Sequence, residues 1–173
     1  MIAMSIAARR FALVAALVAA SSTVPSTSAH AQDGGIGLGA RAPSAAVQSL
    51  DGKPVQLSAV VGTGPALVEF WATWCPNCKE LEPAMTAAQT KYAGRVTFVT
   101  VAVSINESIE RVRKHAAAHN MAPTVVYDGN GSAASAYDAP ATSYVVVIDH
   151  AGRVVYTGVG GTQDLDAAIR KAL

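Results

Sequence analysis

An α/β fold, with a mixed central sheet and helices on both faces, follows from three observations on this chain of 173 residues. Apolar runs of strand length at 66–71, 96–103 and 144–148 alternate with stretches of helical spacing. The first two runs are almost unbroken, as strands buried on both faces are. The third leads through a tight turn, Asp149-His150-Ala151-Gly152, into another strand-like run, so the sheet ends in an antiparallel hairpin.

Taken in order, residues 45–50 read as a short strand. Asp51-Gly52 is the turn that returns the chain through Val55-Gln56-Leu57, an N-terminal β-hairpin. Gly62-Thr63-Gly64-Pro65 is a loop before the central strand at 66–71. A helix then runs to about residue 93. Leu81, Met85, Ala88 and Tyr92 mark its inner face, Pro83 interrupts it and Gly94 ends it. After strand 96–103, Asn106 is the expected N-cap of a helix through His119 that turns Ile109, Val112 and Ala116 inward. Residues 124–127 form a short strand, and 128–136 a polar connection with one helical turn. Strands 144–148 and 153–157 make the closing hairpin. A terminal helix from about Gln163 faces Leu165, Ile169 and Leu173 inward.

Residues 1–31 read as a signal peptide rather than as fold. Arg9-Arg10 precede an apolar run from Phe11 to Ala20, and a Ser/Thr/Pro stretch ends in Ala29-His30-Ala31, a small-x-small cleavage site. An uncleaved membrane anchor is the alternative. The Gly-rich residues 32–42 are expected to be a flexible spacer, and 43–173 a single domain. The expected location is the periplasm or another exported compartment. A net charge of +1 without basic clusters argues against nucleic acid as a partner.

The chain has two cysteines, Cys75 and Cys78, at the start of the predicted helix. Thiols at that spacing can close a disulfide without moving the backbone. So short a loop constrains the unfolded chain very little, which makes the bond a poor staple and suits it to chemistry. Zinc would need two further ligands, and no second Cys-x-x-Cys or His-x-x-x-His set is evident. His115 and His119 read as solvated helix residues. No metal and no cofactor are expected. Glu69 is a lone acid in an apolar strand. Burial of that kind is costly and raises a carboxyl pKa, which marks it as a candidate base.

Phe70-Trp71-Ala72-Thr73-Trp74-Cys75-Pro76-Asn77-Cys78 strongly resembles the active-site segment of the thioredoxin superfamily, and its Thr73 and Pro76 variants resemble the exported TlpA/ResA-like branch. The resemblance extends over the whole chain that follows the expected signal peptide. Leu50-Asp51-Gly52-Lys53-Pro54-Val55 matches that branch's N-terminal hairpin, and Pro83 stands where thioredoxins carry a helix-kinking proline. Glu69 stands where they carry a buried acid, and 148–154 matches the last hairpin. The implied fold is thioredoxin-like: three layers, with an N-terminal β-hairpin extension. The family also places a cis-proline opposite the cysteines, just before the strand that ends in Ile148-Asp149. Pro140 is the candidate for that residue, with Thr142 for the threonine that accompanies it. Ser143 is the alternative, because a gap-free count from Asp149 lands there.

The resemblance implies a thiol-disulfide oxidoreductase that reduces disulfides in proteins. Cys75, facing the free N–H groups of the helix start, would attack as a thiolate, and Cys78 would resolve the mixed disulfide with Glu69 as its base. Trp74 and Pro76 would touch the substrate together with Pro140 and Thr142, while Trp71 packs beneath the site. The implied partners are protein substrates with disulfides or cysteines, and a membrane thiol-electron transporter as donor. The implied state is a monomer. Two other readings stay open: a thiol peroxidase-like enzyme, and a copper-binding chaperone using both cysteines with His150.

Overall fold

The computed structural model describes residues 34–119, 121 and 124–173. The signal peptide expected over 1–31 lies outside the described residues, as do residues 32 and 33 of the expected spacer. Among the described residues, seven strands form one sheet in the order β2-β1-β5-β4-β3-β6-β7. They are β1 (Ala46–Ser49), β2 (Pro54–Gln56), β3 (Ala66–Trp71), β4 (Thr97–Val103), β5 (Thr124–Asp128), β6 (Tyr144–Ile148) and β7 (Val154–Val159). The helices are α1 (Leu57–Val61), α2 (Pro76–Lys91), α3 (Ile109–Ala118), α4 (Ser132–Ala136) and α5 (Leu165–Arg170). Strands β3, β4 and β5 run parallel, and β6 runs antiparallel to β3. This is the predicted mixed sheet.

Alternation along the strands divides the core in two. Leu67, Phe98, Val145 and Val147 face the apolar stripes of α2 (Leu81, Met85, Ala88) and α5 (Leu165, Ala168, Ile169). Val68, Phe70, Val99, Val101 and Val146 face the opposite way, with Leu57, Val61, Val112 and Ala133 from the remaining helices. Near-complete burial of β3 and β6 explains why Glu69 is the one charged residue in either strand.

Four local expectations change, the first being Leu173, which lies past the end of α5 and is exposed rather than inward. Leu57 begins a helix instead of closing a strand. Leu57 and Val61 are both buried, four apart, which is a helical spacing that a three-residue β2 leaves free. The cap of α3 is Ser108, whose Oγ accepts from Arg111 N at 3.3 Å; Asn106 sits in the preceding loop at φ +52°. The flexible spacer does not hold for 34–42. Ile36 is buried, and its N–H donates to the Tyr144 hydroxyl at 2.9 Å. Gly39 N donates to Val154 O and Val154 N to Ala40 O, so the segment is laid along β7. Gly35 permits the approach: a Cβ there would stand 2.5 Å from the Tyr144 hydroxyl oxygen.

Candidate active site

The site forms where β3 and β4 end. Both are parallel strands, and the crevice beyond their carboxyl ends is the usual seat of function in such sheets. From β3 the chain turns through Ala72, Thr73 and Trp74, closed by a hydrogen bond from Cys75 N to Ala72 O at 3.1 Å. Cys75 is the N-cap of α2 and Pro76 its first residue, a position where a missing N–H costs nothing. The Cys75 Sγ accepts from Cys78 N at 3.1 Å, so a free helix-terminal donor points at the sulfur. Cys75 and Cys78 are joined as a disulfide, with Cα atoms 5.3 Å apart.

Both cysteines are nearly closed to solvent in this oxidised form, at 5% exposure for Cys75 and 9% for Cys78. Trp74, in contrast, is 46% exposed, and Pro76 and Asn77 are exposed beside it. Trp71 is buried as expected. Its ring packs on His115, with centroids 5.4 Å apart, and its Nε1 has no acceptor among the described residues.

Glu69 lies on the α2 face of β3, one step beyond Leu67 toward the cysteines. Cys78 heads the buried residues of α2, followed by Leu81 and Met85, and Glu82 of the same helix acts electrostatically on the Glu69 carboxyl. Glu69 is 6% exposed, and no hydrogen bond reaches its carboxyl among the described residues. Burial, with a smaller contribution from the charge of Glu82, pushes its pKa up from the ordinary 4.5 to about 8. Thr100, its cross-strand neighbour on β4, has a buried hydroxyl that also lacks a partner among those residues.

Pro140 does not stand at the entry to β6. It is exposed, three residues earlier, and packs against Gly34. Ser143 directly precedes the strand. Extending the pairing of Tyr144 with Phe70 by one step sets it level with Trp71. Ser143 is fully buried at φ +59°, its Oγ donates to Gly160 O at 3.0 Å, and its carbonyl accepts from Gly160 N and Gln163 Nε2. Its hydrogen bonds to the 160–163 loop hold a conformation that is costly for a residue with a Cβ. Thr142, half-buried, comes just before it.

His115 and His119 are not simply solvated. Their rings stack with centroids 4.1 Å apart, and His119 Nδ1 lies 3.8 Å from Glu82 Oε1. Desolvation, aided by the neighbouring His119, lowers the His115 pKa. His150 lies at the turn after Ile148, which pairs with Ala66 at the far end of β3 from the cysteines. Among the described residues, no group of three or more His, Cys, Asp or Glu side chains is arranged to hold a metal ion.

Sequence reasoning missed Glu107. Its side chain is fully buried in the loop after β4, and it accepts from Thr73 N at 2.9 Å and Thr73 Oγ1 at 2.6 Å. The Trp74 Nε1–H donates to Ile105 O in the same loop at 2.9 Å. The available signal was position: an acid following a parallel strand adjacent to the one that carries the cysteines.

The Redoxin family model matches residues 38–172. The thiol-disulfide oxidoreductase ResA of Bacillus subtilis is 31% identical over 125 residues, 72% of this chain and 69% of that protein. The thioredoxin-like protein YneN of the same organism is 30% identical over 127 residues, 73% of this chain and 74% of its own length. Among solved structures, a thiol:disulfide interchange protein from Chlorobium tepidum superposes with a TM-score of 0.63 at 28% identity, covering 79% of this chain and 97% of that one. With a cysteine pair capping a helix at the end of a mixed sheet, and with these relatives, the chain belongs to the Redoxin family of the thioredoxin superfamily, as a ResA-like thiol-disulfide oxidoreductase.

Proposed function

We propose that this oxidoreductase works in an exported compartment as a reductant of protein disulfides, with Cys75 attacking and Cys78 resolving. The observation that carries the assignment of roles is the Cys78 N–H donating to Cys75 Sγ at the start of α2. In the reduced protein the same donor, with the helix dipole, favours a Cys75 thiolate below the free value of about 8.5. The thiolate attacks one sulfur of a substrate disulfide, and the other sulfur leaves as a thiolate and takes up a proton. Glu69 accepts the Cys78 proton. The Cys78 sulfur then displaces the substrate from Cys75, and the released sulfur is protonated in turn. Two electrons pass to the substrate, and the bond between Cys75 and Cys78 reforms. A membrane thiol-electron transporter would restore the dithiol.

Trp74 and Pro76 would meet the substrate on the exposed side of the cysteines. Thr142 would line the opposite side with the Ser143 backbone, and Pro140 would act only at the rim. Export rests on the residue order of 1–31, and no helix among the described residues is long and apolar enough to cross a membrane. The test is twofold. A Cys78→Ser variant should accumulate mixed disulfides with proteins of the exported compartment, whereas Cys75→Ser should trap none. A reduction potential below about −200 mV supports the reductant direction, and one near −120 mV, where strong oxidants lie, overturns it.

A further inference from the structure

The two oxygens of Glu107 face different parts of the molecule. Oε1 serves its own helix, accepting from Ser108 N at 3.0 Å and from Arg111 Nη1 at 3.3 Å. Oε2 reaches across to the redox turn and takes both donors of Thr73. That turn has one internal hydrogen bond, from Cys75 N to Ala72 O. Its backbone at Thr73 is otherwise held by a charge-assisted pair from a loop 34 residues away in sequence, and such bonds are roughly twice as strong as neutral ones. The Glu107 side chain is fully buried and Thr73 half-buried, which limits the competition of water for these contacts.

We propose that Glu107 is a positioning residue for the redox pair. By gripping Thr73 at its N–H and hydroxyl, it fixes the direction in which the chain leaves β3 and enters α2. That direction sets the line along which the Cys75 sulfur meets an incoming disulfide. Attack on a disulfide needs the three sulfurs close to a line, so a small rotation of the turn is felt in rate before it is felt in fold. A misplacement of about 1 Å at a reacting atom can cost on the order of a hundredfold. The Trp74 indole, tied to Ile105 O in the same loop, keeps the substrate-facing ring in register with the sulfur.

The inference rests on Cys75 being the attacking thiol, and Cys75→Ser tests that separately: if disulfide exchange survives it, the assignment of the thiol has failed. The test of Glu107 uses the reduced full chain, insulin as the disulfide probe and iodoacetamide as the alkylating probe. Thr73→Val removes only the hydroxyl donor, and Glu107→Gln leaves a single acceptor oxygen. Ser108→Ala weakens the α3 cap without touching the redox turn. Exchange and alkylation rates are read at the high-pH plateau, where the thiol is fully ionised, at a temperature where each variant is folded. Thr73→Val and Glu107→Gln should slow exchange by about tenfold, and the double variant should be no slower than the slower single, because both break one grip. Ser108→Ala should lower Tm yet leave exchange within about twofold. An unchanged exchange rate in Thr73→Val, or a loss in Ser108→Ala as large as in Thr73→Val at equal loss of Tm, would overturn the proposal. If Glu107→Gln does not fold, the comparison of Thr73→Val with Ser108→Ala decides the matter alone.

Discussion

Glu69 and Glu107 are two buried glutamates beside one redox turn, and they differ in what they touch. Glu107 accepts from Thr73, Ser108 and Arg111. Glu69 lies among Leu67, Val145 and the underside of α2, with no hydrogen bond among the described residues. A carboxylate supplied with donors serves as a fixed anchor. A carboxyl denied them keeps its proton to about 8 and can exchange it near neutrality. Burial alone therefore does not separate a base from a brace; the donors around it do.

The largest test of that contrast is removal of the base. Glu69→Gln should slow the resolving step by on the order of a hundredfold, measured by single-turnover release of a trapped mixed disulfide. In the parent protein that rate should rise with pH to a plateau above about 8, and in the variant it should be lower and flat. A parent profile without that rise removes Glu69 from the proton step.

Stability should report the same carboxyl. In the folded chain it holds its proton to about 8, and in the unfolded chain it releases it near 4.5. The folded state thus binds more protons across that window, and stability falls as pH rises through it. The slope inside the window approaches about 1.4 kcal/mol per pH unit, and Glu69→Gln should flatten it. Denaturant unfolding at pH 5 and pH 9 measures the effect, and an equal pH dependence in both proteins contradicts the buried, donor-poor site.

Ser143 gives a third test. Proline fixes φ near −65°, whereas Ser143 stands at +59°. Installing the family's proline by Ser143→Pro should therefore destabilise the protein by more than about 1 kcal/mol in denaturant unfolding. The smallest effect is expected from Glu82. Its charge is the lesser cause of the raised Glu69 pKa, so Glu82→Gln should move the midpoint of the rate profile slightly downward.

Much of this was legible in the sequence because it depends on neighbours along the chain. The nearly continuous apolar runs of β3 and β4, the cysteines ahead of a helix and the lone acid at Glu69 are local signals that burial explains. Thr73 and Glu107 meet only through the fold, and neither carries a pattern of its own. At 34–42 the glycines read as slack, yet Gly35 is there because the Tyr144 hydroxyl occupies the space of a side chain. Pro140 is the expected cis residue because cis bonds belong to proline. The strand instead begins at Tyr144, after a serine held in a left-handed conformation by hydrogen bonds to the 160–163 loop.

The docked segment at 39–42 has a consequence for solubility. β7 is the outermost strand on its side of the sheet, and its start is paired by Gly39, Ala40 and Arg41. Unpaired strand margins template aggregation, and an enzyme that handles other proteins' polypeptides meets many extended segments ready to add on. A form beginning at Pro43 should keep its disulfide chemistry but self-associate at concentrations where the longer chain does not, as light scattering would show.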